Sequence, residues 1–248
     1  MILSGGVKAL ARALQGQGPR NRIFLLSHMR ANTSVLGHIL GSNPAIEGYY
    51  EMQRSYTRRV DFRLQELFFY ARHEPKPGAV YMFDKILHDK YRLADAVLGA
   101  DDRIVIMIRK PGPTISSITR LFGARPGHKF STCAGAASYY AGRLASLRKC
   151  AERLEGRFLL LQSEDLLERP EASLERLTAF LSLRVPLSAQ YEVFPNTGVP
   201  GAGDTSALIQ SGRIASQAPM QPDFTPGEAL AALYDAALRE LTRRSAKP

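Results

Sequence analysis

The chain has 248 residues, 45% of them hydrophobic, so it can bury a sizeable core as one large domain or two small ones. Its 33 Lys and Arg residues against 23 Asp and Glu residues give a formal charge of +10, which favours anionic partners. The cations, Arg143 among them, are spread along the chain without the aromatic residues of a single-strand nucleic-acid platform. Most are therefore expected at the solvated surface, and no nucleic-acid partner is expected.

The two cysteines and the first residues exclude further classes. Two cysteines form one bridge at most, which excludes a disulfide framework and favours a reducing cytoplasm. Residues 1–22 contain no long uncharged apolar run, so neither a signal-peptide core nor a stable membrane insertion is expected. We expect a flexible leader over residues 1–20 and a single domain over residues 21–248.

Short apolar runs alternate with longer segments of helical spacing. Strands are predicted at residues 23–26, 79–83, 104–108 and 158–161. Helices are predicted at residues 34–40, 58–72, 91–98, 114–122, 134–154, 171–181 and 228–243, with a long loop over residues 185–226. The continuous apolar runs are typical of strands buried on both faces. The pattern predicts a doubly wound α/β fold with a central parallel sheet flanked by helices.

A polar turn at residues 27–34 connects the first strand to the first helix. Such a turn points unpaired backbone N–H groups and the positive helix end at one place, where a phosphate or sulfonate can bind. Arg30 adds a cation, and Thr33 and Ser34 add hydroxyls. The GxxxxGK[ST] pattern is absent, and Asn32 stands where a left-handed backbone is expected, which Asn tolerates. An ordinary helix start capped by Thr33 or Ser34 is the alternative.

A second anion-binding motif follows the strand that ends at residue 108. Arg109 lies at the carboxyl end of this strand, and Ser117 lies two turns into the next helix. A guanidinium fork and a hydroxyl at this edge of a sheet can hold a phosphate. The alternative is an ordinary helix start with a surface arginine.

The two motifs, in this order, resemble those of sulfotransferases that use 3′-phosphoadenosine 5′-phosphosulfate (PAPS), in particular the bacterial and tyrosyl-protein types. Residues 30–34 are similar to the 5′-phosphosulfate loop of that family, with Ala31 and Asn32 in place of its Ser and Gly. Arg109 and Ser117 are similar to its 3′-phosphate motif. The likeness extends over residues 21–215, with Ser163 in place of a usual Tyr.

The resemblance implies a P-loop-like domain, PAPS as cofactor and adenosine 3′,5′-bisphosphate as its product. The reaction would be in-line sulfuryl transfer to a hydroxyl or amine of a small-molecule, carbohydrate or lipid acceptor. Residues 203–206 and 211–214 resemble the late loop that covers the cofactor. The implied cofactor-binding residues are Arg30, Ala31, Asn32, Thr33, Ser34, Arg109, Ser117 and Arg213. The sequence names neither the acceptor nor the oligomeric state.

Catalysis by such a protein needs charge stabilisation and a base for the acceptor hydroxyl. Arg30 is expected to act electrostatically because arginine does not readily give up its proton. Lys85 is expected either as a further sulfonate contact or as a surface lysine. The candidate bases are Glu51, Glu47, His88 and His28. Glu51 is favoured because the resembled types have a Glu at this spacing after the element that contains Pro44. His88 is favoured by the ordinary pKa of its ring.

Two other functions remain open from the residues. A P-loop-like nucleotide-dependent kinase would share the sheet and the anion-binding turn, but the Walker lysine is absent. A non-catalytic relic that binds an anion or nucleotide is the other alternative, because Ala31, Asn32 and Ser163 depart from the family pattern. The five histidines are scattered, so no metal site is expected.

Overall fold

The computed structural model describes residues 19–125, 127–199, 204, 206–214 and 222–247, so the expected leader lies outside them except for residues 19 and 20. The strands are β1 (Asn21–Ser27), β2 (Ile46–Glu47), β3 (Tyr81–Ile86), β4 (Arg103–Ile108) and β5 (Phe158–Gln162). The helices are α1 (Thr33–Ser42), α2 (Val60–Tyr70), α3 (Pro111–Phe122), α4 (Cys133–Arg153), α5 (Ser163–Glu168), α6 (Pro170–Phe180) and α7 (Glu228–Arg244). Short 3₁₀ turns lie at Asp95–Val97 and Ile209–Ser211. In the described part of the chain, no helix is long and apolar enough to cross a membrane.

The five strands form one parallel sheet in the order β2-β3-β1-β4-β5. The chain moves outward from β1 to one side of the sheet, and then returns to form β4 and β5 on the other side. This reversal leaves a crevice at the carboxyl ends of β1 and β4, where ligands bind in open α/β sheets. The predicted α/β fold with a central parallel sheet and flanking helices is confirmed.

Helices cover both faces of the sheet. Ile23 and Leu25 of β1 join the core that contains residues of α1 and α6, whereas Phe24 and Leu26 join the core that contains residues of α3, α4 and α7. Successive strand side chains point to opposite faces, so both faces of β1 are buried. Continuous apolar strands are the sequence signature of this burial.

Most predicted elements lie within three residues of the observed bounds, but the helix predicted at residues 91–98 is wrong. The segment instead lies extended beside Tyr56, where Tyr56 N–H donates to the Arg92 carbonyl at 2.7 Å and Ala94 N–H donates to the Tyr56 carbonyl at 2.9 Å. This pairing overrides the helical spacing of the segment, and only Asp95–Val97 forms a 3₁₀ turn. The short elements β2 and α5 were not predicted.

Glycine at position 37 lets the chain after β2 lie directly against α1. A Cβ atom at Gly37 would be 2.3 Å from the carbonyl oxygen of Tyr49, which is too close for any side chain. The segment that leads to Glu51 therefore packs on α1 and lies beside the helix that follows the anion-binding turn. Gly37 thus helps to position Glu51, a candidate catalytic residue.

We expect Gly37→Ala to lower the free energy of unfolding by about 1–3 kcal/mol, because the new methyl group overpacks against a backbone carbonyl. Gly142→Ala is the matched control, since a Cβ atom at this helical position meets no atom within 4 Å. The control should raise the free energy of unfolding by up to about 1 kcal/mol through helix propensity. Urea unfolding of both variants measures the two effects, and equal shifts would contradict the close approach of Tyr49.

Candidate active site

The turn between β1 and α1 has the backbone of an anion-binding concavity. Asn32 has φ 60° and ψ 24°, which confirms the left-handed backbone predicted for it, and Arg30 also has a positive φ of 62°. Positive φ is uncommon outside glycine and is found at ligand clamps. Left-handed residues that alternate with other conformations point neighbouring N–H groups into one concavity. The N-terminus of α1, at Thr33, opens onto the same place.

Two departures from the family pattern contact each other. The side-chain amide of Asn32 donates to the hydroxyl of Ser163 at 2.7 Å, and Ser163 is fully buried. Asn32 occupies the N-cap position without a side-chain cap hydrogen bond, so neither Thr33 nor Ser34 caps α1. The amide thus links the turn to the start of α5 and holds the left-handed residue in place.

The two predicted anion-binding motifs meet in the crevice between β1 and β4. Arg30 Nε donates to Ser117 Oγ at 2.8 Å, and Arg109 Nη1 donates to the carbonyl oxygen of Arg30 at 2.9 Å. Burial lowers the pKa of Arg109, and the Arg30 guanidinium lowers it further, whereas Glu164 raises it. Two arginines at one place favour an anion between or beside them.

Asp204 of the late loop reaches the turn, whereas Arg213 does not join it. Asp204 Oδ1 lies 3.5 Å from Arg30 Nη2, and its N–H donates to Ser34 Oγ at 3.2 Å. An anion bound at Arg30 would therefore compete with the Asp204 carboxylate. Arg213 is exposed and lines a separate open cavity of about 610 Å³ together with Ser42, the last residue of α1. Residues 203 and 205, also expected in the covering loop, lie outside the described residues.

Lys85 and Glu51 lie beside the turn. Lys85 is buried, and its Nζ donates to Ser34 Oγ at 3.3 Å. Burial lowers the pKa of Lys85, while Glu51, Asp84 and Asp204 raise it. Burial raises the pKa of Glu51, although Lys85 opposes this shift, and Glu51 Oε1 is buried without a hydrogen-bond partner among the described residues. A buried carboxylate oxygen without a partner is costly, and such groups cluster at functional sites.

The other three candidate bases differ in what they can still bind. Fully buried His28 uses both ring nitrogens, because Nδ1 donates to the Met29 carbonyl at 2.9 Å and Nε2 accepts from Arg109 N–H at 3.0 Å. Buried Glu47 accepts from the Lys76 N–H at 2.5 Å. Half-buried His88 has a pKa lowered to about 4, first by burial and then by nearby cations, so it is neutral at neutral pH. Glu51 and His88 are thus the two candidates that are only partly buried.

Asp84 supports the site but was not predicted to take part in it. Its carboxylate accepts from Tyr56 Oη at 2.5 Å, Met52 N–H at 2.8 Å and Lys85 N–H at 2.8 Å. These bonds fix the chain that follows Glu51. Burial raises the pKa of Asp84 to about 7. The available signal was the adjacent charged pair, Asp84 and Lys85, inside a strand whose six residues are all buried.

The sequence predicted Arg143 at the solvated surface, but it is buried under the site. Its guanidinium donates to the carbonyls of Ser27 at 2.8 Å and Ile86 at 2.7 Å, which end β1 and β3. One turn earlier on α4, Tyr139 Oη accepts from Met29 N–H at 2.9 Å and donates to the Leu87 carbonyl at 2.8 Å. These side chains satisfy the backbone groups that the two strands leave unpaired. The spacing of four residues between Tyr139 and Arg143, which places both on one face of a helix, was the only signal available in the sequence.

The comparisons with known proteins agree with this geometry. A sequence profile described as the sulfotransferase family matches residues 100–186, which include Arg109, Ser117 and Ser163. Sequence comparison with curated proteins finds no significant match. The sulfotransferase domain of the curacin biosynthetic pathway is 16% identical, with a TM-score of 0.58 over 88% of this chain and 97% of that domain. The sulfotransferase domain of the Synechococcus PCC 7002 olefin synthase is 17% identical, with a TM-score of 0.63 over 91% of this chain and 94% of that domain.

The chain therefore has the fold of sulfotransferase domains. The resemblance to the sulfotransferase family predicted from the sequence is confirmed by the profile match over residues 100–186. At these identities the solved structures show the fold alone. The family match adds support for a transferase that moves a sulfuryl group. Within the described residues, no group of three or more His, Cys, Asp or Glu side chains could hold a metal ion.

We expect Glu51→Gln to stabilise the fold at neutral pH by about 1 kcal/mol, because it removes a buried charge whose Oε1 accepts no hydrogen bond from the described residues. The pKa of Glu51 is raised in the folded state, so its stabilising contribution is present below the ordinary pKa of 4.5 and is lost as the pH rises. The two proteins should thus unfold alike at acidic pH and differ at neutral pH. Urea unfolding at both pH values tests this, and a less stable variant at neutral pH would contradict it.

Proposed function

We propose that the protein is a PAPS-dependent sulfotransferase that acts on a hydroxyl or amine of a small-molecule, carbohydrate or lipid acceptor. The observation that carries this proposal is the contact of Arg30 with both Ser117 and Arg109. PAPS carries a 5′-phosphosulfate and a separate 3′-phosphate. Two anion-binding motifs that meet at one crevice match this distribution of charge better than a single run of three phosphates.

The residues of the turn fit a phosphosulfate group. Positive φ values at Arg30 and Asn32, the start of α1 and the hydroxyls of Thr33 and Ser34 offer several donors to one anion. When bound, PAPS supplies an activated sulfuryl group that passes in line to the acceptor and leaves adenosine 3′,5′-bisphosphate. Arg30 and Lys85 stabilise the negative charge of the bound phosphosulfate, because both are cations at the anion-binding turn. Arg30 contacts Ser117, and Lys85 contacts Ser34.

Glu51 removes the proton of the acceptor group in this proposal. Its Oε1 has no hydrogen-bond partner among the described residues, and its raised pKa brings its basicity nearer to neutral pH, where a general base is most effective. Lys85 raises the local positive charge beside Glu51 and also contacts Ser34, so it joins the proton acceptor to the anion-binding turn. His88 is the second candidate for this role.

We also place the protein in the cytoplasm. Cys133 and Cys150 are both free thiols in the structure. Free cysteines are the usual state in a reducing compartment.

We expect adenosine 3′,5′-bisphosphate to raise the melting temperature far more than ATP with magnesium, since a ligand of the native state stabilises it by mass action. Arg109→Gln and Ser117→Ala should each reduce this shift by weakening the 3′-phosphate contact. Arg176→Gln, an exposed arginine on α6, is the matched control and should leave the shift unchanged. Arg213→Gln should also leave it unchanged, because Arg213 lines the separate cavity. Thermal denaturation with each nucleotide measures these shifts.

Two outcomes of the nucleotide comparison would contradict the proposal. Equal or greater stabilisation by ATP with magnesium would favour the kinase alternative. Loss of the bisphosphate shift in Arg176→Gln as well as in Arg109→Gln would indicate a general charge effect instead of a site between β1 and β4.

We expect Glu51→Gln to retain bisphosphate binding and to lose sulfuryl transfer by about 10²-fold or more, as for removal of a general base. Transfer by the wild-type protein should increase as the pH rises through the raised pKa of Glu51. His88→Gln is the matched comparison and should retain most activity. Labelled PAPS with a library of acceptors provides the assay.

The same assay separates the remaining alternatives. Normal transfer by Glu51→Gln together with loss in His88→Gln would assign the base to His88. Absence of labelled product from the wild-type protein, although it binds the bisphosphate, would favour a non-catalytic relic.

A further inference from the structure

A second cavity, here called the flank cavity, lies between α4 and the segment at residues 89–95. Its volume is about 430 Å³, within the range of small-molecule sites. Leu26 of β1 and Ile86 of β3 line it from the sheet. Neither Arg30 nor Glu51 is among its lining residues. The flank cavity is thus distinct from the crevice around Arg30 and Glu51, although Arg143 lines it and also lies under that site.

The flank cavity offers an apolar surface to a ligand. Besides Leu26 and Ile86, the side chains of Leu93 and Leu154 line it, and more of its lining is apolar than polar. Burying an apolar group of a ligand on these side chains contributes roughly 25 cal/mol for each Å² removed from water. The cavity therefore suits a molecule with an apolar body.

The acidic side chains of the flank cavity are already paired. Asp89 Oδ1 lies 2.5 Å from Arg143 Nη1, and Asp95 Oδ2 lies 2.8 Å from Arg153 Nε. All four of these residues line the cavity. Each pair leaves little net charge, so neither carboxylate balances a further cation.

Two further cations of the cavity have no such partner. Lys149 and Arg92 both line the cavity and are exposed, and neither side chain forms a hydrogen bond or ion pair with another described residue. They give the cavity an unbalanced positive charge next to its apolar floor. Charge complementarity therefore favours an occupant with a negative group.

We propose that the flank cavity binds an amphipathic anion, a molecule with an apolar chain that ends in a carboxylate. The chain lies on Leu26, Ile86 and Leu93, and the carboxylate is held by Lys149 and Arg92. This site is additional to the cofactor crevice and does not depend on the proposed transfer reaction.

Decanoate is the probe that tests this proposal, with decanol as the uncharged control of equal chain length. Calorimetry with the wild-type protein should show binding of decanoate below its micellar range and at least about tenfold weaker binding of decanol. Lys149→Glu should weaken decanoate binding by about tenfold or more, whereas Arg176→Glu, an exposed arginine on α6, should leave it unchanged. Ser146→Phe places a large side chain in the cavity and should abolish binding. Because Lys149 is exposed, its variant keeps the test valid if Ser146→Phe does not fold.

Cys150 reports where the probe binds, because it lines the flank cavity. Cys133→Ser leaves Cys150 as the single thiol, since the chain has two cysteines. Decanoate should slow the alkylation of Cys150 by N-ethylmaleimide, and saturating adenosine 3′,5′-bisphosphate should not restore the rate. No decanoate binding, equal binding of decanol, or competition by the bisphosphate would each overturn the proposal.

Discussion

The site depends on the position of β1 between β3 and β4. Because the chain leaves β1 to build one half of the sheet and returns to build the other half, a crevice forms at the carboxyl ends of β1 and β4. The turn after β1 and the turn after β4 therefore face each other. This is why Arg30 and Ser117, 87 residues apart, come within hydrogen-bond distance. The apolar strands determine this topology, and the polar turns after β1 and β4 supply the residues of the site.

Three charged residues of the site lie in largely buried positions. Glu51, Asp84 and Lys85 are each shifted away from their ordinary pKa by burial, in the direction that disfavours charge. Asp84 is stabilised by three donors, but Glu51 Oε1 has no hydrogen-bond partner in the part of the chain that the structure describes. The fold therefore stabilises the residue that holds the site in shape and leaves the candidate base reactive. Such local cost is typical of functional sites.

The sequence predicted those features that depend on local pattern or on the order of strands. Continuous apolar runs indicated the strands, and the place of Asn32 after β1 indicated its left-handed backbone. Arg143 could not be distinguished from surface arginines, because its burial depends on which face of α4 meets the sheet. Arg213 was expected at the cofactor, yet its place depends on a long loop whose path no periodic pattern specifies. The helix predicted at residues 91–98 was wrong because the long-range pairing of this segment with Tyr56 has no local signature.

The substitutions at Asn32 and Ser163 are better understood as one change than as two losses. A glycine at position 32 would adopt the left-handed backbone freely, whereas Asn32 adopts it with its amide bound to Ser163. A tyrosine at position 163 would place a large ring where the Ser163 hydroxyl is now fully buried. Each residue therefore accommodates the other, and the turn keeps a defined backbone. This coupling supports a turn that is kept in shape to bind an anion, which both a sulfotransferase and a relic that binds the nucleotide require.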